Sequence, residues 1–240
     1  QQLSSGKRIT KASDDAASLA IGSKVTADSV ALAQASRNAA NVQSVLNVAE
    51  GGLSNIAKVL TRLKELLHSA QDGFHDTASF SAVDKEYQAL VTEITNIANT
   101  TKFNGVTLID GSDATAGNFS NASGAIILLG ATSGDTITMS LSSSGAGNNA
   151  TATGLALATT GVTTSAIAAS NEALVETAIG TVAGFLANIG ALQARVGFRG
   201  AQLDISKENA DATASTLLDA DVAQAQTLYT NADVLTQSGI

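Results

Sequence analysis

The stretch VQSVLNVAEGGLSNIAKVLTRLKELL, from Val42 to Leu67, decides the fold. Its residues Val42, Leu46, Ala49, Leu53, Ile56, Leu60, Leu63 and Leu67 follow one another in alternating steps of four and three without a fault. A stripe with that spacing stays on one side of a helix and forms the seam of a coiled coil. Backward, the seam runs through Ala39, Ala35 and Leu32, weakens at Asp28 and resumes at Val25 and Ile21, behind capping residues in Ser13, Asp14 and Asp15. The pattern predicts one helix from about Asp14 to about Ala70. Gly51 and Gly52 interrupt it at about 1 kcal/mol each, a cost that the seam on either side absorbs. Gln71 to Thr77, with Asp72 and Gly73, supplies the turn that ends it.

Two more helices follow from the same spacing. Val83, Tyr87, Leu90, Ile94 and Ile97 predict a short amphipathic helix over about Ser81 to Asn99. Val175, Ile179, Val182, Leu186, Ile189, Leu192 and Val196 predict a long one over about Asn171 to Asn231, with a looser Ala-rich seam through Leu203, Ala210, Ala214 and Leu217. Between them the composition shifts to Gly, Ser, Thr and Asn. Ala125 to Leu129, a turn at Ser133, Gly134 and Asp135, and the alternating Thr136 to Leu141 read as a β-hairpin. Val106 to Ile109 reads as a further short strand, and Ser142 to Ser170 as a loose or extended connection. The expected fold is mainly α: a long antiparallel helical bundle, a coiled-coil-like rod with a small β-hairpin region. Residues 1–110 give the N-terminal part of the rod, 111–169 the hairpin and a short variable connection, and 170–240 the C-terminal long helix.

Composition narrows the function. The 240 residues hold no Cys, which excludes disulfides, thiol catalysis and thiolate metal sites. They also hold no Pro, where usage of about 5% would give about a dozen, so nothing of that kind interrupts a helix. The net charge of −8 argues against nucleic acid and anionic lipid as partners. No apolar run is read as long enough to span a bilayer, and no basic-plus-apolar leader opens the chain, so no membrane insertion is expected. Charged residues make up 14% against a usual level of about 25%. So weakly charged a surface suits packing against other subunits better than standing alone in water.

Residues for catalysis are missing from the sequence pattern. The two histidines, His68 and His75, lie in no His-Glu-x-x-His motif, and no phosphate-cradling Gly-rich loop leads into a helix. Asp72, His75 and Asp76 could gather as a metal site, or form a solvated turn. Asp110, Gly111, Ser112 and Asp113 hint at a calcium loop, but the remaining liganding positions are missing and a polar turn is favoured. No cofactor and no enzyme activity are expected. Asn99, Asn121 and Asn149 begin Asn-x-Ser/Thr triplets, a pattern too common in a Ser/Thr-rich chain to carry weight.

The ends carry more specific signals. Leu3 to Ile9 (LSSGKRI), Asp14 to Ile21 (DDAASLAI), Gln34 to Ala39 (QASRNA) and Phe103 to Val106 (FNGV) strongly resemble bacterial flagellin. The C-terminal stretch with Asp219, Ala220, Asp221 and Val222 is similar to the family's carboxyl helix, and Gly130 to Leu141 to its hairpin. The resemblance implies a non-enzymatic, extracellular subunit of the flagellar filament, exported without a cleaved leader. Its partners would be other flagellin subunits, an export chaperone and the cap protein. Lys7, Arg8, Lys11, Arg37 and Asn38 are the candidate subunit contacts, and the segment Leu3 to Ala12 is expected to contact other subunits and to be mobile in the isolated chain. Arg62, Leu66 and Glu93 match the family's recognition patch for the animal innate immune receptor, whereas Thr61 and His68 depart from it. The reading preferred for Arg62 and Glu93 is an ordinary surface pair used in subunit packing. A chain opening at Gln1 and closing at Ile240 is expected to lack the family's extreme terminal segments and to remain monomeric. The alternatives are a hook–filament junction protein and a cell-surface binding protein with the same fold.

Overall fold

A computed structural model describes residues 5–72, 76–111, 119, 125–141, 149–157 and 161–239. The elements in chain order are α1 (Ala16–Ser69), α2 (Thr77–Thr100), β1 (Lys102–Phe103), β2 (Val106–Thr107), β3 (Ala125–Leu128), β4 (Thr136–Met139), α3 (Ser165–Leu218) and α4 (Val222–Ser238). The chain is mainly helical, as the spacing requires, and divides into two compact units. One holds residues 38–128 and 136–198, the other 1–37, 129–135 and 199–240.

In the larger unit all eight seam residues from Val42 to Leu67 are buried. Also buried in this unit are Tyr87, Val91, Ile94 and Ala98 of α2 and Val175, Ala178, Val182, Phe185, Ile189, Leu192 and Val196 of α3. Polar pairs at the margins fix the directions. Lys64 Nζ bonds Glu176 Oε2 at 2.8 Å and Gln193 Nε2 bonds Glu50 Oε2 at 2.8 Å, so α1 and α3 run antiparallel. Arg62 Nη2 meets Glu86 Oε1 at 2.7 Å, and Gly52 faces Thr101 beyond the other end of α2, so α2 folds back along α1. Two predicted seams hold at most positions, Tyr87 and Ile94 in one and Val175, Val182, Ile189, Leu192 and Val196 in the other, and shift by one at two positions each: Val91 and Ala98 are buried where Leu90 and Ile97 were expected, and Ala178 and Phe185 where Ile179 and Leu186 were. Each exchange is between adjacent apolar residues, where spacing alone permits either.

Both hairpins are antiparallel. Phe103–Val106 closes β1 on β2 through Asn104 and Gly105, both with positive φ, as a two-residue turn between right-twisted strands needs. Strands β3 and β4 pair from Ala125↔Met139 to Leu128↔Thr136, with Ile137 and Met139 buried and Thr136 and Thr138 exposed, the predicted alternation. The expected loose connection is corrected at its described part. Residues 149–157 form a packed turn that buries Ala150, Ala152, Leu155 and Leu157, tied by Ala150 N–H to Ile109 O at 2.8 Å. Helix α3 starts at Ser165, ahead of the expected Asn171.

In the smaller unit α1 begins after Asp15, whose Oδ1 accepts the Ser18 N–H at 3.0 Å. The predicted seam holds at Ala35, which is buried, and is corrected ahead of it: Ile21 is exposed, Val25 and Leu32 are half-buried, and Gly22 and Ser29 are the buried positions. Gly22 lies so close to Leu218 that an added Cβ would come within 2.6 Å of it, and Ser29 and Ser36 bond Asp211 and Asp204 of α3. Seam positions here are small or polar, so large apolar residues one position away face outward. Helix α3 ends at Leu218 and α4 starts at Val222, capped by Asp221, whose side chain accepts the Gln224 N–H at 3.0 Å. The sequence pattern had carried one helix through to Asn231.

The reading that no apolar run reaches spanning length is corrected for α3, which contains an 18-residue stretch long and apolar enough by composition to cross a membrane. Its Ala and Gly count as apolar while Thr and Asn stand between them, and its face from Val175 to Ile189 lies in the core of the larger unit.

Candidate subunit-contact surface

The five candidate contact residues are each held by different local partners. In the smaller unit, residues 6–8 lie against the end of α3: Lys7 forms an antiparallel bridge with Asp219, the Arg8 N–H donates to Leu218 O at 2.8 Å, and the Ala220 N–H donates to Gly6 O at 3.0 Å. Arg8 Nη2 also donates to Leu217 O at 2.8 Å, placing a cation on the negative end of α3. Ile9 is buried beside this bridge. The expectation of a mobile segment is therefore corrected over Gly6 to Ile9, which backbone bonds and the buried Ile9 tie into the chain itself, whereas Leu3 and Ser4 lie outside the described residues.

Lys11 holds its place through its backbone, which with that of Thr10 donates to Asp14 Oδ2 at 3.0 and 3.2 Å. Those bonds, from Lys11 first, hold the Asp14 carboxyl below its usual pKa. Arg37 bonds Gln34 Oε1 at 2.8 Å and borders a polar groove of about 520 Å³ lined by Ser36, Asp204, Lys207, Glu208 and Asp211. Asn38 belongs to the larger unit, where its Nδ2 donates to Leu128 O at 3.3 Å.

The receptor-patch residues are also placed apart in their roles. Arg62 is held by Glu86 and, at 3.6 Å, by Glu65, a pairing that raises its pKa, with the Glu86 hydrogen bond the main cause. Leu66 is only 7% exposed, its side chain committed to the core. Glu93 is exposed on α2, and the partner that sequence reasoning gave it, Arg62, bonds Glu86 instead.

Of the chemical motifs, Asp76 is the N-cap of α2, accepting the Ser79 N–H at 2.8 Å; His75, Ser112, Asp113 and Asn121 lie outside the described residues. Asp110 is buried and Gly111 has a φ of +75°, against the Asn149 side chain. Among the described residues no three His, Cys, Asp or Glu side chains gather as a metal site. Burial pushes the Tyr87 hydroxyl up to about 12, which leaves it neutral and unsuited to proton transfer near pH 7.

What sequence reasoning missed is a set of large apolar side chains left in water. Phe198 is 79% exposed, Ile205 54%, and α4 buries none of its residues while showing Val222, Leu228, Tyr229, Val234 and Leu235. The available signal was phase: Phe198 and Ile205 each stand two positions beyond a seam residue, Val196 and Leu203, and so on the outer side.

Comparison with known proteins then decides the family. Residues 1–114 match the bacterial flagellin N-terminal helical region and residues 173–240 the bacterial flagellin C-terminal helical region. A flagellin of Halalkalibacterium halodurans is 32% identical over 238 residues, covering 99% of this chain and 83% of the relative. The chain belongs to the bacterial flagellin family. The flagellar filament 31.3 kDa core protein of Treponema maltophilum is 30% identical over 250 residues, 100% of this chain and 84% of that protein. The crystal structure of Bacillus cereus flagellin superimposes with a TM-score of 0.57 at 27% identity, covering 70% of this chain and 88% of that one. Flagellins are structural proteins, and the flagellin motif Phe103 to Val106 is here the β1–β2 hairpin.

Proposed function

We propose that this chain is a structural subunit of the bacterial flagellar filament, assembling with other copies of itself into the helical tube used for motility. The observation that carries the reading is α4: a 17-residue helix with no buried residue that exposes Leu228, Tyr229, Val234 and Leu235 to water. An apolar surface of that kind is covered by another chain in the working state. Low surface charge favours the same use, because few ions are stripped of water on assembly. The place of work is outside the cell, reached by export without a cleaved leader, with a chaperone and the cap protein as transient partners.

Antibody raised against the chain and applied to intact cells tests the reading. Labelling along the whole length of the filaments is expected. Label confined to the hook end would assign the chain to the junction, and label on the cell body alone would make it a surface binder. Either outcome ends the filament reading.

A further inference from the structure

The break between α3 and α4 is not explained by its own sequence. Asp219, Ala220 and Asp221 include no Gly and no Pro, and Ala is the best helix former. The helical ladder runs intact to the Asp219 N–H, which still donates to Ser215 O at 2.9 Å. At the next residue the bonding changes partner: the Ala220 N–H goes to Gly6 O. In an unbroken helix the Ala220 N–H would take Thr216 O, and the Leu217 and Leu218 carbonyls would take the N–H groups of Asp221 and Val222. Instead those two carbonyls are occupied by Arg8, through its Nη2 and its backbone N–H, both at 2.8 Å. The segment Gly6–Arg8 thus replaces three consecutive helical bonds at the point where the helix stops. Gly6 adopts a φ of +67° to present its carbonyl, and buried Ile9 anchors the segment.

We propose that residues Gly6–Ile9 are a latch that holds α3 and α4 apart, and that releasing the latch lets α3 run on into α4 as one helix. The device gives the subunit two states of its C-terminal helix, selected by where the N-terminal segment bonds. A contact that captures Arg8 elsewhere removes the donors from Leu217 and Leu218 and returns those carbonyls to the helical ladder.

The test uses the full chain. Having no cysteine of its own, it takes spin labels only at introduced positions, here Asn209→Cys on α3 and Tyr229→Cys on α4. In one unbroken helix these sites stand about 30 Å apart along the axis. The unlatched variant Arg8→Ala with Ile9→Asn is expected to shift the distance distribution to a narrow one near about 30 Å. Amide exchange at Asp221 and Val222 should slow in parallel, since both gain acceptors. Adding Ala220→Pro, which cannot continue a helix, is expected to abolish the narrow distribution near about 30 Å, although it does not rebuild the latch, whose bond from the Ala220 N–H to Gly6 O it also removes. Asp221→Ala alone should leave the parent distance in place, because the latch and not the cap holds the break. An unchanged distance in the unlatched variant, fusion by Asp221→Ala alone, or a broad distribution that Ala220→Pro does not alter would each overturn the latch.

Discussion

A Cβ added at Gly52 would come within 2.5 Å of Thr101 Oγ1 and 2.8 Å of its Cγ2, whereas one added at Gly51 meets nothing within 4 Å. The two neighbours in α1 therefore answer oppositely to the same substitution. Gly51→Ala should raise stability by about 0.5–1 kcal/mol through helix propensity, and Gly52→Ala should lower it because Thr101 and the loop behind it must move. Urea titration of each variant measures both. Lys7 and Arg8 part in the same way. Lys7 stands between the two bonds of its bridge with Asp219, which Gly6 O and the Arg8 N–H make, so Lys7→Ala should change the midpoint little. Arg8 contributes its guanidinium to Leu217 O, and Arg8→Ala should cost about 1 kcal/mol, read as a lower thermal midpoint. The Lys7 and Arg8 cluster was visible in the sequence, but the division of labour within it depends on which atoms reach the end of α3.

The two ends of α1 are paired by different chemistry. In the larger unit the seam is aliphatic and fully buried, and Leu60→Ala there should cost about 2–5 kcal/mol, a loss that denaturant unfolding would register. In the smaller unit Ser29 bonds Asp211, and Ser36 bonds Asp204 at 2.8 Å, one heptad apart on both helices. Asp211 faces Lys207 and Ser29, whose hydrogen bonds, Lys207 first, hold its pKa below the usual 3.8. A carboxyl with a lowered folded pKa adds stability that is complete above its unfolded value and is lost as the pH falls through the folded one. This pairing should therefore be unaffected from neutral pH down to the upper edge of the carboxylate range and weaken only at pH values below 3.8. Amide exchange along 25–36 and 204–214, followed against pH, is expected to show that loss in the parent chain. The same dependence should be reduced in Asp211→Asn.

At the scale of the whole molecule, residues that contribute nothing to the isolated chain become informative. Phe198 stands almost fully in water, so Phe198→Ser should leave the thermal midpoint within experimental scatter. In cells whose filament is built from this protein, the same change should shorten filaments and reduce swimming, as electron microscopy and motility in soft agar would show. A drop in midpoint with normal filaments would place Phe198 inside the subunit instead. Leu228 and Leu235 on α4 are the second pair to test in this way, since α4 buries nothing of its own.

The sequence by itself determined the helices, their antiparallel return and the alternating hairpin, because fault-free steps of four and three, the lack of Pro and short turns leave few other ways to bury the aliphatic stripe from Val42 to Leu67. It also carried the family, in short motifs near both ends. Tertiary structure decided which of two adjacent apolar residues turns inward, as with Phe185 over Leu186, because periodicity defines a face about as wide as both and packing selects one. It also decided where the last long helix stops. That break depends on Gly6 and Arg8, more than two hundred residues away from Leu218 in the chain, and no local pattern records a hydrogen bond made across such a distance.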